Sequence, residues 1–162
     1  MTIGLDDSAI HNSLWNRGAS KSKASDFLEA SQDDHILLSD PIQSDLKVRF
    51  PILLLEGQGF AAGTNIYTAE NQTAVAGSCM VNLLQRLTDP YNEIVPKGEP
   101  KKIGPLAFSV CTQGTLIEFY VHYSVEEENI THYHMKLLMV VHASFPNGVR
   151  KFLLMVEKFF SW

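Results

Sequence analysis

The residues with the clearest chemical potential in this sequence stand where an apolar run ends. Residues 52–55 are all apolar, and Glu56, Gly57 and Gln58 follow them directly. Residues i and i+2 of a β-strand point to the same face, so Glu56 and Gln58 would share a face. A carboxylate beside an amide at a strand end suits a divalent cation and its bound water. A carboxylate standing in solvent at a sheet edge is the alternative interpretation.

A second carboxylate would help to hold such a cation. If residues 35–38 and 46–56 form an antiparallel hairpin whose turn centres near Asp45, Asp34 lies opposite Glu56, since each is 11 residues from Asp45. Two carboxylates at one end of a hairpin repel each other and favour a hard, oxygen-binding ion such as Mg²⁺. The ion would orient and ionise a water and neutralise charge that develops on a phosphate.

Glu70 and Gln72 open the helix that the sequence predicts after this strand, with Asn65 or Thr68 as its cap. Glu70 has a structural explanation, because a carboxylate near a helix start interacts favourably with the helix dipole. Gln72 would be able to reach back to the strand end and bind a water or a phosphate oxygen. Exposure of Gln72 to solvent is the alternative.

The histidines form one further candidate. His132 and His134 would share a strand face, but no third ligand stands at a zinc-like interval. His122 and His142 each stand alone in an apolar run, which predicts hydrogen-bonded core or edge histidines.

Composition limits the classes of function. The 162 residues are 45% hydrophobic, enough for the core of one domain, and 18 acidic against 13 basic residues give a net charge of −5. This charge repels a polyanion, so it gives a nucleic-acid partner little support and leaves a protein partner open. Cys79 and Cys111 are expected to be buried free thiols, as in a reducing compartment. Without a signal sequence or a long apolar run, we expect an intracellular protein, nuclear or cytoplasmic, that is neither secreted nor in the membrane.

The elements that must position these residues follow from hydrophobic periodicity. Residues 1–32 are polar and are expected to form a loosely held helical region, before one domain over residues 33–162. Small residues on the first helix predict a thin face that lies close to a sheet: Ala69, Ala74, Ala76 and Gly77. The predicted order is strands at 35–38 and 46–56, a helix to about residue 87, a loop over 89–104, strands at 106–111 and 116–123, a strand or helix at 133–143, and a helix at 149–162. This order predicts an α/β or α+β fold with a mixed central sheet flanked by helices.

Four segments do more than fit this general scheme: residues 50–58 (FPILLLEGQ), 69–80 (AENQTAVAGSCM), 105–114 (PLAFSVCTQG) and 118–123 (EFYVHY). Together they resemble the PD-(D/E)XK nuclease-like domains of large fungal protein families, over about residues 34–162. The resemblance implies a restriction-endonuclease-like core. It also implies Mg²⁺-dependent phosphodiester hydrolysis of nucleic acid as the ancestral activity.

The resemblance also implies roles for particular residues. Glu56 matches the acidic position, the Gly57 carbonyl the backbone metal contact, Gln58 the lysine position, and Gln72 a glutamine that follows on the helix. The implied catalytic residues are therefore Asp34, Glu56, Gln58 and Gln72, and the implied metal contacts are Asp34, Glu56 and Gly57, with Asp40 as the alternative first aspartate.

Gln58 departs from the family pattern, and the departure concerns activity. A lysine there orients the attacking water and stabilises the charged phosphate, whereas a glutamine adds no charge. The sequence therefore predicts a nuclease-like domain with weakened or lost hydrolysis. A catalytically inactive domain of the same fold, serving as a protein-interaction module, is the alternative.

Overall fold

A five-stranded mixed sheet with a helix on each face makes up the part of the chain that the structure describes. The structure is a computed structural model, and it describes residues 1–6, 12, 26, 48–59, 65–94 and 104–160. The strands are β1 (Thr2–Asp6), β2 (Val48–Gln58), β3 (Ala107–Gln113), β4 (Leu116–Glu127) and β5 (Ile130–His142), and the helices are α1 (Ile66–Ile94) and α2 (Pro146–Phe160). The predicted α+β class with a mixed central sheet flanked by helices is confirmed.

The strands lie in the sheet in their chain order, from β1 at one edge to β5 at the other. β2 and β3 are parallel, and the other neighbouring strands are antiparallel. A parallel pair needs a long crossover connection, which here contains α1. The carboxyl ends of β2 and β3 therefore meet at the edge of the sheet where α1 begins.

Tight turns connect the last three strands. Gly114 has φ 58° at the first position of the β3–β4 turn, where a two-residue hairpin needs a left-handed residue and glycine takes that conformation without strain. The β4–β5 turn consists of Glu128 and Asn129, with φ 51° and 62°. Because these turns fix the register, β4 places Glu118, Tyr120 and His122 on one face, as their alternation predicted.

α1 packs on the face of the sheet that carries Cys111 and His122. Its buried side chains recur at helical spacing and include Ala69, Thr73 and Val81, each fully buried. The thin face is confirmed at Ala69 and Gly77, which are buried, while Ala74 is exposed. α1 therefore lies close enough to the sheet for side chains of the two elements to form hydrogen bonds.

α2 packs on the opposite face. Phe119 of β4 meets Phe152 of α2 edge to face, with ring centroids 6.0 Å apart, and stacks on Phe108 of β3 at 5.7 Å. Alternation along β4 sends Phe119 to this face and its neighbours Glu118 and Tyr120 to the other. The α1 face is thus the one that carries polar chemistry.

Two predictions about the elements need correction, and one open alternative is decided. β1 was not predicted, because its five residues lie in a polar region and show no long apolar pattern. α1 continues to Ile94, past the predicted end near residue 87 and into the predicted loop. The ambiguous segment is a strand, β5. The predicted strand at residues 35–38 lies outside the described residues.

The pairing of β2 contradicts the register that would set Asp34 opposite Glu56. That register would pair residues 36 and 37 with Leu54 and Leu53. These two residues already have partners on both sides, in β1 and in β3. Since a strand residue has only two neighbours in a sheet, β1 takes the place that the hairpin would need.

Candidate functional site

The site is centred on a row of side chains that crosses three strands. Glu56 of β2 pairs with Cys111 of β3, which pairs with Glu118 of β4. Paired residues of adjacent strands point to the same face, so the two carboxylates flank the Cys111 thiol beneath α1. The next pair on this face toward the strand ends is Gln58 with Gln113.

The start of α1 is held over this row. Asn65 caps the helix, its side-chain Oδ1 accepting from the Thr68 N–H at 3.3 Å. The Ile66 N–H donates to Gln113 Oε1 at 3.2 Å, which ties the first turn of α1 to the end of β3. These contacts satisfy two of the N–H groups that a helix start leaves unpaired, and they confirm the predicted cap at Asn65.

The side chains of Gln58 and Gln72 form a hydrogen bond on the solvent-exposed side of the site. Gln58 Nε2 donates to Gln72 Oε1 at 3.1 Å, across 14 residues of sequence. Gln72 is exposed and Gln58 is half-buried. Both predictions for Gln72 therefore hold in part, because the side chain reaches the strand end while it stays in contact with solvent.

Tyr120 links α1 to β4 deeper in the site. Its hydroxyl lies 2.5 Å from Glu70 Oε1 and 2.8 Å from Glu118 Oε2, so both carboxylates are within hydrogen-bond distance of the one hydroxyl donor. The ring is 7% exposed and packs with Ala69 and Cys111. Burial, and then the hydrogen bonds to Glu70 and Glu118, raise the pKa of Tyr120 far above its ordinary value, so the phenol stays protonated and donates.

The surroundings of the Cys111 thiol raise its pKa. Burial raises its pKa most, a hydrogen bond with Thr73 lowers it, and the charges of three carboxylates raise it further: Glu70, Glu118 and Glu56. Thr73 Oγ1 lies 3.2 Å from the sulfur. A thiol with a raised pKa is a poor nucleophile at neutral pH, which agrees with the predicted role of Cys111 as a small buried residue.

The structure brings three of the predicted site residues together, namely Glu56, Gln58 and Gln72. Asp34 and Asp40 lie outside the described residues. The metal contact predicted for the Gly57 carbonyl stays a prediction, and a Cβ added at Gly57 would lie 3.1 Å from Thr112 Oγ1. Within the described ranges, no group of three or more histidine, cysteine, aspartate or glutamate side chains is arranged to hold a metal ion.

The remaining candidates have structural roles or stand apart from the site. His132 and His134 lie on β5, where the His134 ring stacks on Tyr123 at 5.1 Å. The prediction for His142 is confirmed, since its Nε2 lies 2.9 Å from Thr115 Oγ1. Both cysteines are free, but only Cys111 is buried; the prediction that Cys79 is buried is wrong, because its position on α1 faces solvent.

Comparison with known proteins places the chain in a family without a described activity. A domain of unknown function, DUF7924, matches residues 16–160. The chain belongs to the DUF7924 family. No curated protein and no solved structure gives a significant match to this DUF7924 domain. Neither helix in the described part of the domain has the length and apolarity that a membrane span requires.

Sequence reasoning missed part of this candidate site. Glu118 and Tyr120 were placed on one strand face, but nothing in their spacing showed that α1 would bring Glu70 to them. The signal that was available is the hairpin turn at Gly114, which sets Glu118 opposite Cys111. The contact between Tyr120 and Glu70 spans 50 residues and depends on how the helix docks.

Proposed function

We propose that the domain is a metal-dependent phosphodiesterase of the PD-(D/E)XK nuclease-like type, acting on nucleic acid, with hydrolysis weakened by glutamine at the lysine position. The observation that carries the proposal is the contact between Gln58 and Gln72 beside Glu56. A strand end and a helix start thus present a carboxylate and two amides at one solvent-accessible place. This is the arrangement that the resemblance to PD-(D/E)XK nuclease-like domains implies for Glu56, Gln58 and Gln72.

The two amides would bind water and phosphate through hydrogen bonds. With Gln58 Nε2 donating to Gln72 Oε1, the remaining Gln58 Oε1 accepts from a water and the remaining Gln72 Nε2 donates to a phosphate oxygen. Both are neutral, so they position the reacting groups without stabilising their charge. This is the physical reason for expecting slow hydrolysis.

The charge of the site favours a cation as cofactor. Glu56, Glu70 and Glu118 surround Cys111 closely enough to raise its pKa, and three carboxylates repel a phosphodiester unless a cation is present. Glu56 and the Gly57 carbonyl would contribute to holding Mg²⁺, and Asp34 or Asp40 would have to complete the set, because the described residues do not form one. Bound Mg²⁺ would supply an activated water and neutralise phosphate charge.

A cleavage assay with Mg²⁺ or Mn²⁺ on single- and double-stranded DNA and RNA tests this function. We expect slow, metal-dependent cleavage by the native chain. Glu56→Ala should lower the rate by about a hundredfold, because a metal-binding carboxylate is lost, and Gln58→Lys should raise it by about tenfold, because a positive charge is gained.

Glu126→Ala is the matched control for this assay. Glu126 is an exposed glutamate near the far end of β4, and its removal should leave the rate unchanged. Cleavage that survives Glu56→Ala would show that the site is assigned to the wrong residues. The absence of cleavage by the native chain with either metal would rule out the hydrolytic function.

A second function, as a protein-interaction module of the same fold, is favoured by a different observation. Among the described residues, β5 and α2 carry exposed apolar side chains: Ile130, Tyr133, Leu137, Leu138, Val140, Leu153 and Leu154. Exposed apolar groups on an edge strand are typical of surfaces that bind another protein. A folded native chain without cleavage activity would favour this second function.

A further inference from the structure

Three side chains of the sheet contact the beginning of α1. Gln113 at the end of β3 accepts from the Ile66 N–H, and Tyr120 of β4 reaches Glu70 one turn later. The hydrogen bond from Gln58 to Gln72 joins the same part of the helix to β2 on the solvent-exposed side of the site. The first two turns of α1 are thus bound to three neighbouring strands.

Tyr120 is the most buried of these three contacts. Its ring is 7% exposed, whereas Gln58 and Gln113 are half-buried. The ring is fixed between Ala69 and Cys111, with Ile66 and Met135 packed around them. Because the ring cannot swing away, the hydroxyl determines where the Glu70 carboxylate lies.

Glu70 and Gln72 are two residues apart on one helix, about 3 Å along its axis. A helix turn moves as a unit, so the contact that fixes Glu70 also limits how far Gln72 can shift from Gln58. We propose that Tyr120 is a positioning residue of the site, which acts through Glu70 to hold Gln72 opposite Gln58. This inference rests on the proposed function, in which Gln72 contacts water or phosphate.

Tyr120→Phe tests the inference, because it removes the hydroxyl and keeps the buried ring. We expect kcat for Mn²⁺-dependent cleavage to fall by about tenfold, since a small misplacement of a reacting group is costly, while KM changes by less than about twofold. We also expect amide hydrogen exchange in residues 66–72 to become about tenfold faster, with exchange in α2 unchanged.

Tyr123→Phe is the matched control. Tyr123 lies on the same strand, on the face opposite Tyr120, with its ring stacked on His134. This variant should keep the native kcat and the native exchange in residues 66–72. A loss of kcat in both variants would overturn the positioning role of Tyr120, because it would show a general effect on the hairpin.

A second pair of variants decides the question if Tyr120→Phe does not fold. Glu70→Gln loses the charge but keeps an oxygen that accepts from Tyr120, so at saturating Mn²⁺ it should keep more of the native kcat than Glu70→Ala. Glu70→Ala loses that oxygen and should reproduce the tenfold loss. Equal activity of these two variants would overturn the inference.

The outcomes also separate the inference from the proposed function. If the native chain cleaves and Tyr120→Phe cleaves with the same kcat, the positioning role is wrong and the proposed function stands. If the native chain does not cleave with either metal, the proposed function fails and the positioning role fails with it. In that case faster exchange in residues 66–72 would show only that Tyr120 anchors α1.

Discussion

Replacing Gly77 with alanine should destabilise the domain by about 1–3 kcal/mol, although alanine is normally the better residue inside a helix. Gly77 lies on the buried face of α1, directly over the imidazole ring of His122. An alanine Cβ would overlap with the Nδ1, Cγ and Cε1 atoms of that ring. His122 is 2% exposed and its Nε2 lies 2.8 Å from Ser109 Oγ, so the ring cannot move aside without losing a buried hydrogen bond. The helix must shift instead.

Denaturant unfolding measures the loss of stability in Gly77→Ala. A double-mutant cycle shows how much of this loss comes from the contact with His122. In the background of His122→Ala, which removes the ring, Gly77→Ala should cost at least about 1 kcal/mol less than in the native chain. Gly148→Ala is the matched control on α2. Its Cβ would approach one atom, Val141 Cγ1, at 3.0 Å, which is a much milder overlap than the one with three His122 ring atoms, so the expected loss is smaller. A Gly77→Ala variant as stable as the native chain would contradict the close packing of α1 on β4.

The stability of the domain should fall by about 3 kcal/mol between pH 6.5 and pH 4 because of His122 alone. Burial lowers the pKa of His122 from 6.5 to about 4. The unfolded chain therefore binds a proton below pH 6.5 that the folded chain does not bind until about pH 4. The contribution of neutral His122 is complete above pH 6.5, is lost as the pH falls through this window, and is constant below it. The difference of about 2.5 pH units corresponds to about 3 kcal/mol at about 1.4 kcal/mol per unit.

Urea unfolding at a series of pH values tests this prediction. Carboxylates also titrate in the window, so the informative quantity is the difference in pH dependence between the native chain and His122→Gln. That variant should lose about 3 kcal/mol of the pH dependence, whatever its stability at pH 7. Parallel pH profiles of the native chain and His122→Gln would show that His122 does not titrate as inferred.

Local patterns were sufficient to predict most of the fold. The alternation of residues 116–123 and the glycine at the turn predicted the β3–β4 hairpin, and Asn65 predicted the start of α1. The prediction failed where local pattern is weak or is overruled by tertiary contacts. β1 is five residues long and gains its stability from pairing with β2, which lies more than 40 residues away. α1 continues through Pro90, which propensity alone would place at or beyond a helix end.

The same distinction between local pattern and tertiary contact applies to the residues of the candidate site. Glu56 and Gln58 were found because they are neighbours on one strand, and Gln72 because it follows on the next helix. Glu70, Glu118 and Tyr120 were not recognised as part of one site, since their contacts depend on the docking of α1 and on the pairing of β3 with β4. The contact between Tyr120 and Glu70 joins residues 50 positions apart, and short sequence windows do not contain it.

The parallel pairing of β2 with β3 has a consequence for how the site comes into being during folding. Glu56 and Gln58 precede the crossover and Cys111, Gln113 and Glu118 follow it, so no hairpin can join the two groups early. Closing the long crossover between β2 and β3 has an entropic cost, which only the docking of α1 and the pairing of the strands offset. We therefore expect the row of side chains to form in the same cooperative step as the sheet, so that partly folded chains would not present it.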